Sequence, residues 1–203
     1  NYGILRGDVT LNFETQSAQG IEMEQAIELE VSGTNAVQDK DGLINPSVLS
    51  MASASALKVT DSISSLWIDM QENSSLAATG DVLATSITGS GYIGAQNIEL
   101  DTLSATNLEL YAENSVRMKE AALVSNKLKV WGKNVTMSAV EIEPSLFGYA
   151  QIDAAEDVSI TQEFIGEKLR VTAGGAITLA SLGSEANPVK SAIIESTGGG
   201  ATI

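Results

Sequence analysis

The chain has 203 residues and carries 26 acidic against 11 basic side chains, a net charge of -15. A surface this acidic repels phosphate backbones and anionic lipid, so nucleic acid is not an expected partner and soluble behaviour is. With no cysteine and no histidine, disulfide scaffolds, Cys/His zinc sites and the usual Ser-His and Cys-His catalytic pairs are excluded. No run of about 18 apolar residues is present to span a membrane as a helix. The first residue is Asn rather than Met, which reads as a processed or excised piece. The composition is 43% hydrophobic but only 4% aromatic, so a core built mainly from Val, Ile, Leu and Ala is expected.

In chain order, short period-two segments recur, each three to five residues long and punctuated by Gly, Asn, Asp and Ser. Looser copies come first, "GILRGDVTLNF" and "IEMEQAIELEV". Clear copies follow, fitting apolar-x-apolar-x-Ala-x-x-x-apolar-x-apolar. One runs through Leu108, Leu110, Ala112, Val116 and Met118; others run from Ala150 to Ile160 and from Leu169 to Leu179. A version one residue shorter passes through Leu128, Val130, Val135 and Met137. The second strand of each copy starts near Val9, Ile27, Val48, Leu66, Val82, Ile98, Val116, Val135, Val158 and Ile177. These starts lie roughly 16–23 residues apart, a solenoid period. Isolated hairpins need no common period. A coil that climbs one strand spacing per turn does.

The expected fold is therefore all-β: a right-handed parallel β-helix of roughly 9–10 coils, about 45–50 Å long at ~4.8 Å per coil. It forms one domain over residues 1–203, with a lateral insertion or irregular coils at 32–56. "NSVRMKEAALVSNKLKVW" contains good helix formers. Its match to the neighbouring strand copies decides for a strand.

Two ladders support the register. The residue before each second strand reads Asp8, Ala26, Ser47, Ser65, Asp81, Asn97, Ser115, Asn134, Asp157, Ala176, so eight of ten are Asp, Asn or Ser. Short polar side chains of this kind bond backbone amides at sharp corners and can bond their stacked copies. On the first strand the outward position is expected to read Glu109, Lys129, Asp153, Arg170, with signs alternating along the stack.

Within this frame several motifs take structural readings. "RGD", Arg6 to Asp8, places Asp8 on the corner ladder, not on a free integrin-type loop tip. "GSGYIG", Gly89 to Gly94, has the spacing of a nucleotide loop but is followed by strand alternation, so its glycines read as a coil corner. "DKDG" offers Asp39 and Asp41 as a weak surface calcium site; a full calcium loop needs further oxygens and a closing Glu. The sequons at Asn73 and Asn134 differ, because Asn134 belongs to the ladder. "AVEIEPSLFGYA" lengthens one coil and is expected to bring Phe147 and Tyr149 near Glu141 and Glu143, as a contact loop or as a lid on the rod.

The stretch "LRVTAGGAITLASLGSEANPVKSAIIESTGGGATI", Leu169 to Ile203, resembles the β-helical repeats of filamentous-haemagglutinin-like exoproteins and other giant bacterial surface proteins. Its "AGG" corner, its "GSEANP" corner and its later "TGGGATI" turn carry the likeness. The resemblance implies a secreted, extracellular or cell-surface rod that holds adhesive parts away from the cell. Its partners would be further coils of the same polypeptide and a protein or glycan of a host or neighbouring cell. No cofactor and no membrane insertion are expected. A polysaccharide-active lyase or tailspike-like enzyme and a filament-forming scaffold are the competing readings. No convergent carboxylate cluster is evident for the former, and scarce aromatics argue against a sugar-stacking groove.

Overall fold

A computed structural model describes residues 48–143 and 148–203 in full, and the backbone of Gly3–Leu5, Ile21–Met23 and Ile27–Val31. The described residues form strands and turns without a helix, wound into a parallel β-solenoid of about 8 turns. Every strand pairing is parallel, as stacked coils require. The segment with helix-forming composition lies inside one unbroken extended run, Val82–Gly132. There, cross-coil pairing on both sides overrides local propensity.

Each turn has three faces. On the first, Val116 pairs with Val135, Val135 with Val158, and Val158 with Ile177. On the second, Leu49 pairs with Ile68 and Ile68 with Ile87; farther along, Val140 pairs with Phe164. On the third, Leu57 pairs with Leu76 and Leu76 with Ile93; later Leu128, Ala150 and Leu169 stand in line. The inward side chain of each pair is buried, and the three rows merge into one apolar core running the length of the stack. A fully buried Val, Leu or Ile contributes about 1.5–3 kcal/mol, and each touches like residues above and below, so the period-two pattern is sufficient to fill the interior.

Two of the expected strand starts belong to other faces. Ile27–Val31 pairs with Ala56–Val59 on the third face, and Val48–Met51 pairs on the second, Val48 opposite Trp67. About eight turns are formed among the described residues, and these two strands belong to their third and second faces. Leu66 is likewise not a start. It projects at a corner, 59% exposed, while Ile63 pairs with Val82. Of residues 32–56, the part from Val48 onward is regular coil, with Val48–Met51 a strand. Residues 32–47 lie outside the described segments.

The glycines of "KLRVTAGGAITLAS" mark the corner between the third and first faces. A Cβ at Gly174 would lie 2.0 Å from the carbonyl oxygen of Ala155 on the preceding coil, so only glycine fits. In "GSGYIG", Gly89 closes the corner after the second face at φ 97°, where a Cβ would meet the Met70 carbonyl oxygen. The "GSEANP" corner is a tight turn: Gly183 has φ 71°, Ser184 N donates to Asn187 O at 3.1 Å, and Asn187 N donates to Ser184 Oγ at 3.1 Å.

Candidate functional site

The corner between the third and first faces carries the predicted polar ladder. Asn97 Nδ2 donates to Asp81 Oδ1 at 2.8 Å, and Ser115 Oγ donates to Asn97 Oδ1 at 2.8 Å. Ser115 pairs in register with Asn134. Asp157 N donates to Asn134 Oδ1 at 3.3 Å, and Ala176 N donates to Asp157 Oδ1 at 2.7 Å. These bonds span 16, 18, 23 and 19 residues, so unequal coils still return their polar residue to one line. The ladder member before Asp81 is Ser62, whose Oγ accepts from Asp81 N at 2.8 Å. Ser65, expected there, instead donates to its neighbour Trp67 O at 2.8 Å. Asn134 Nδ2 also donates to Glu156 Oε2 at 2.9 Å, which holds the Glu156 carboxyl below its ordinary range, with Lys133 adding to the effect. Asp8, Asp39 and Asp41 lie outside the described residues.

A second ladder, not anticipated, lines the corner between the second and third faces. Ser74 Oγ donates to Ser90 O at 3.4 Å, Asn107 N donates to Ser90 Oγ at 3.2 Å, and Asn126 Nδ2 donates to Asn107 Oδ1 at 2.7 Å. Its spacings of 16, 17 and 19 residues match those of the first ladder. A search for a second line of Ser and Asn at the coil period would have found it.

The outward charge row differs from expectation beyond its first pair. Lys129 Nζ does reach Glu109 Oε1 at 3.4 Å, yet Lys127 Nζ is closer, at 2.5 Å. Lys129 pairs in register with Gln151, and Gln151 with Arg170; Asp153 sits two residues along, opposite Trp131 and Thr172. Gln151 Nε2 donates to Asp153 Oδ2 at 2.6 Å. Signs therefore do not alternate along a single row, because a neutral amide interrupts it. Arg170 instead lies 3.9 Å from Glu195 on the following coil. On the first face, Lys119 bridges Glu99 at 2.8 Å and Asp101 at 2.9 Å.

The hydrogen bond from Lys127 holds the Glu109 carboxyl below its ordinary pKa of 4.5; burial opposes it, and the charges of Lys127 and Lys129 add to the lowering. A depressed folded pKa contributes stability above the unfolded value, and that contribution is lost as pH falls through the folded one. Both side chains are partly exposed, so solvent screening keeps the effect to about 0.5 kcal/mol at pH 7. The expected result for Glu109→Gln is a loss of that size near pH 7 in urea melts. The difference from the parent should close as pH falls below about 4. A difference unchanged between pH 7 and pH 3 would show that the pair does not titrate as a unit.

Of the expected contact loop, Glu141, Glu143 and Tyr149 lie among the described residues. Glu141 and Glu143 are exposed at the end of the second face, with Glu143 N donating to Val124 O at 2.8 Å. Tyr149 begins the strand Tyr149–Ala154 on the third face, opposite Lys127. Phe147 lies outside the described residues. Ala150 and Ile152 point inward, which turns the half-buried Tyr149 to the outer side of the strand.

The aromatics, though few, are concentrated. Of the four Tyr and two Trp in the sequence, Tyr92, Tyr111, Trp131 and Tyr149 all sit on the third face. Tyr111 and Trp131 stack with ring centroids 4.4 Å apart and planes 7° from parallel. The Tyr92 ring lies over Gly94, where a Cβ would stand 2.8 Å from its Oη and 3.0 Å from its Cε1. Burial, then the proximity of Tyr111 and Glu109, raises the Tyr92 pKa above its ordinary value. Beside Tyr92 a groove of about 540 Å³ opens, walled by Glu72, Asn73, Ser90, Asn107, Glu109 and Lys127. Asn73 stands exposed at its rim in a left-handed conformation, φ 60°. Among the described residues no group of three or more acidic side chains is gathered closely enough to hold a metal ion. Comparison with protein-family models, curated proteins and solved structures gives no match to this chain.

Proposed function

We propose that this chain is a non-catalytic rod segment of a large bacterial surface or secreted exoprotein, with the extracellular location that such a role requires. The observation that carries this reading is the continuity of the stack. One apolar core and two corner ladders run through coils of unequal length, and the register resumes after each of the shifts at Met70/Ser74 and Met118/Ala121. A structure of this kind contributes stiffness and projects its outward side chains at a fixed spacing of about 4.8 Å per coil. The likeness of Leu169 to Ile203 to filamentous-haemagglutinin-like repeats supports the same role. Further β-helix coils of the same polypeptide are the partners that this reading implies.

Two measurements test the reading. In the source cell, a membrane-impermeant amine reagent should label the parent polypeptide on intact cells, and labelling only after lysis would overturn the extracellular role. Incubation of the purified chain with pectin, alginate, xylan and hyaluronan should release no reducing ends or unsaturated products. Turnover by the parent that disappears in Asp101→Asn or Glu109→Gln would replace the rod with a polysaccharide-active enzyme.

A further inference from the structure

We propose that the groove beside Tyr92 binds an uncharged oligosaccharide, with the Tyr92 ring as the platform on which one pyranose stacks. The inference goes beyond the rod reading and does not depend on it. A pyranose presents a face of C–H groups ringed by hydroxyls, so its binding site needs a flat apolar plate bordered by small donors and acceptors. Gly94 supplies the first condition. With no side chain there, the Tyr92 ring lies down on the sheet and covers Gly94, which is buried, while Tyr92 itself remains 39% exposed. One flat ring surface thus faces the groove. The wall supplies the second condition, with the Asn73 and Asn107 amides, the Glu72 and Glu109 carboxylates and the Lys127 ammonium within the same concavity.

Charge selects the sugar. Glu72 and Glu109 against Lys127 and the adjoining Lys129 leave the groove without excess positive charge, in a chain of net charge -15. Uronate and sulfated sugars are therefore repelled, and hexoses or N-acetylhexosamines are favoured. Tyr111 and Trp131 stack on each other with ring centroids 4.4 Å apart, and Tyr149 stands in register with Lys127 rather than with Trp131, so Tyr92 alone serves as the platform.

The test is saturation-transfer NMR on the full 203-residue chain. The probes are triacetylchitotriose, cellotriose and maltotriose, with trigalacturonate as the anionic comparison. At least one neutral trisaccharide should show transfer to its ring C–H protons, and trigalacturonate should show less. Tyr92→Phe should bind within about two-fold of the parent, whereas Tyr92→Ala should bind about three- to ten-fold more weakly. Tyr92→Leu keeps Gly94 covered but offers no plate, so it should lose binding even if the alanine variant misfolds. The proposal is overturned if no neutral trisaccharide binds, if trigalacturonate binds best, or if Tyr92→Leu binds as the parent does with an unchanged far-ultraviolet spectrum. Cleavage of a bound neutral sugar would uphold the groove while overturning the non-catalytic rod, so the two failures are distinguishable.

Discussion

Replacing Phe164 by Ala should cost about 3–5 kcal/mol, the largest loss expected from any single core truncation in the described residues. Phe164 is the largest fully buried side chain among them and the one aromatic in a core otherwise made of aliphatic residues and Met. It stands on the second face, paired with Val140 before it and bridged to Leu182 after it. Gly166 is small where the ring needs room, since a Cβ there would lie 3.1 Å from Phe164 Cζ and 3.0 Å from Ile142 Cβ. Truncation leaves a void between coils that hydrogen bonds hold at a fixed spacing, so the walls cannot close in. Stability in a stacked repeat is roughly a sum of neighbour terms. The coils after Phe164 should therefore melt earlier than those before it, and hydrogen exchange should show protection lost first in Lys168–Ala173 and Ile177–Leu179. Uniform loss of protection along the whole chain would contradict a nearest-neighbour solenoid.

The corner ladder should give the next largest effect. Asn97→Leu removes the donor to Asp81 and the acceptor for Ser115 together, both in partly buried surroundings. A cost of about 1–3 kcal/mol is expected, because both neighbours are left without their partner. Asn134→Leu should cost less, about 0.5–1.5 kcal/mol, since its bonds to Glu156 and Asp157 are exposed and water replaces them. Asn97→Asp provides the sharper control. It places a second carboxylate beside Asp81 and destabilises at pH 7, and lowering the pH toward 3 should relieve the repulsion. Equal costs for Asn97→Leu and Asn134→Leu in denaturant melts would mean that burial does not set the worth of a rung.

The repeated apolar-x-apolar segments were enough to specify strands, and their common period was enough to specify a coil, because a parallel stack is what lets many three-residue strands share one core. The corner ladder from Asp81 to Asp157 was legible for the same reason: the residue type and its offset from the next strand recur together. Register within a coil was less secure. Asp153 was placed beside Lys129, whereas Gln151 occupies that position, since alternation identifies a face but leaves a two-residue slip unpenalised. Ile27 and Val48 were counted as first-face strands for a related reason. Periodicity shows that a strand is half-buried but not which of three similar faces it joins.

The aromatic face is the part that only the tertiary structure decided. Tyr92, Tyr111, Trp131 and Tyr149 are separated in the sequence by coils of unequal length and appear there as isolated residues in a chain with 4% aromatics. Winding brings them onto one face and sets Tyr111 against Trp131. The inward demand of Ile93, Leu110, Val130 and Ala150 then turns their aromatic neighbours to the same outer surface. The sequence by itself determined that a solenoid forms and where one of its polar corners lies, through local alternation and turn chemistry. Which side chains meet across coils depended on the exact length of every turn, and that is settled by packing among three faces at once.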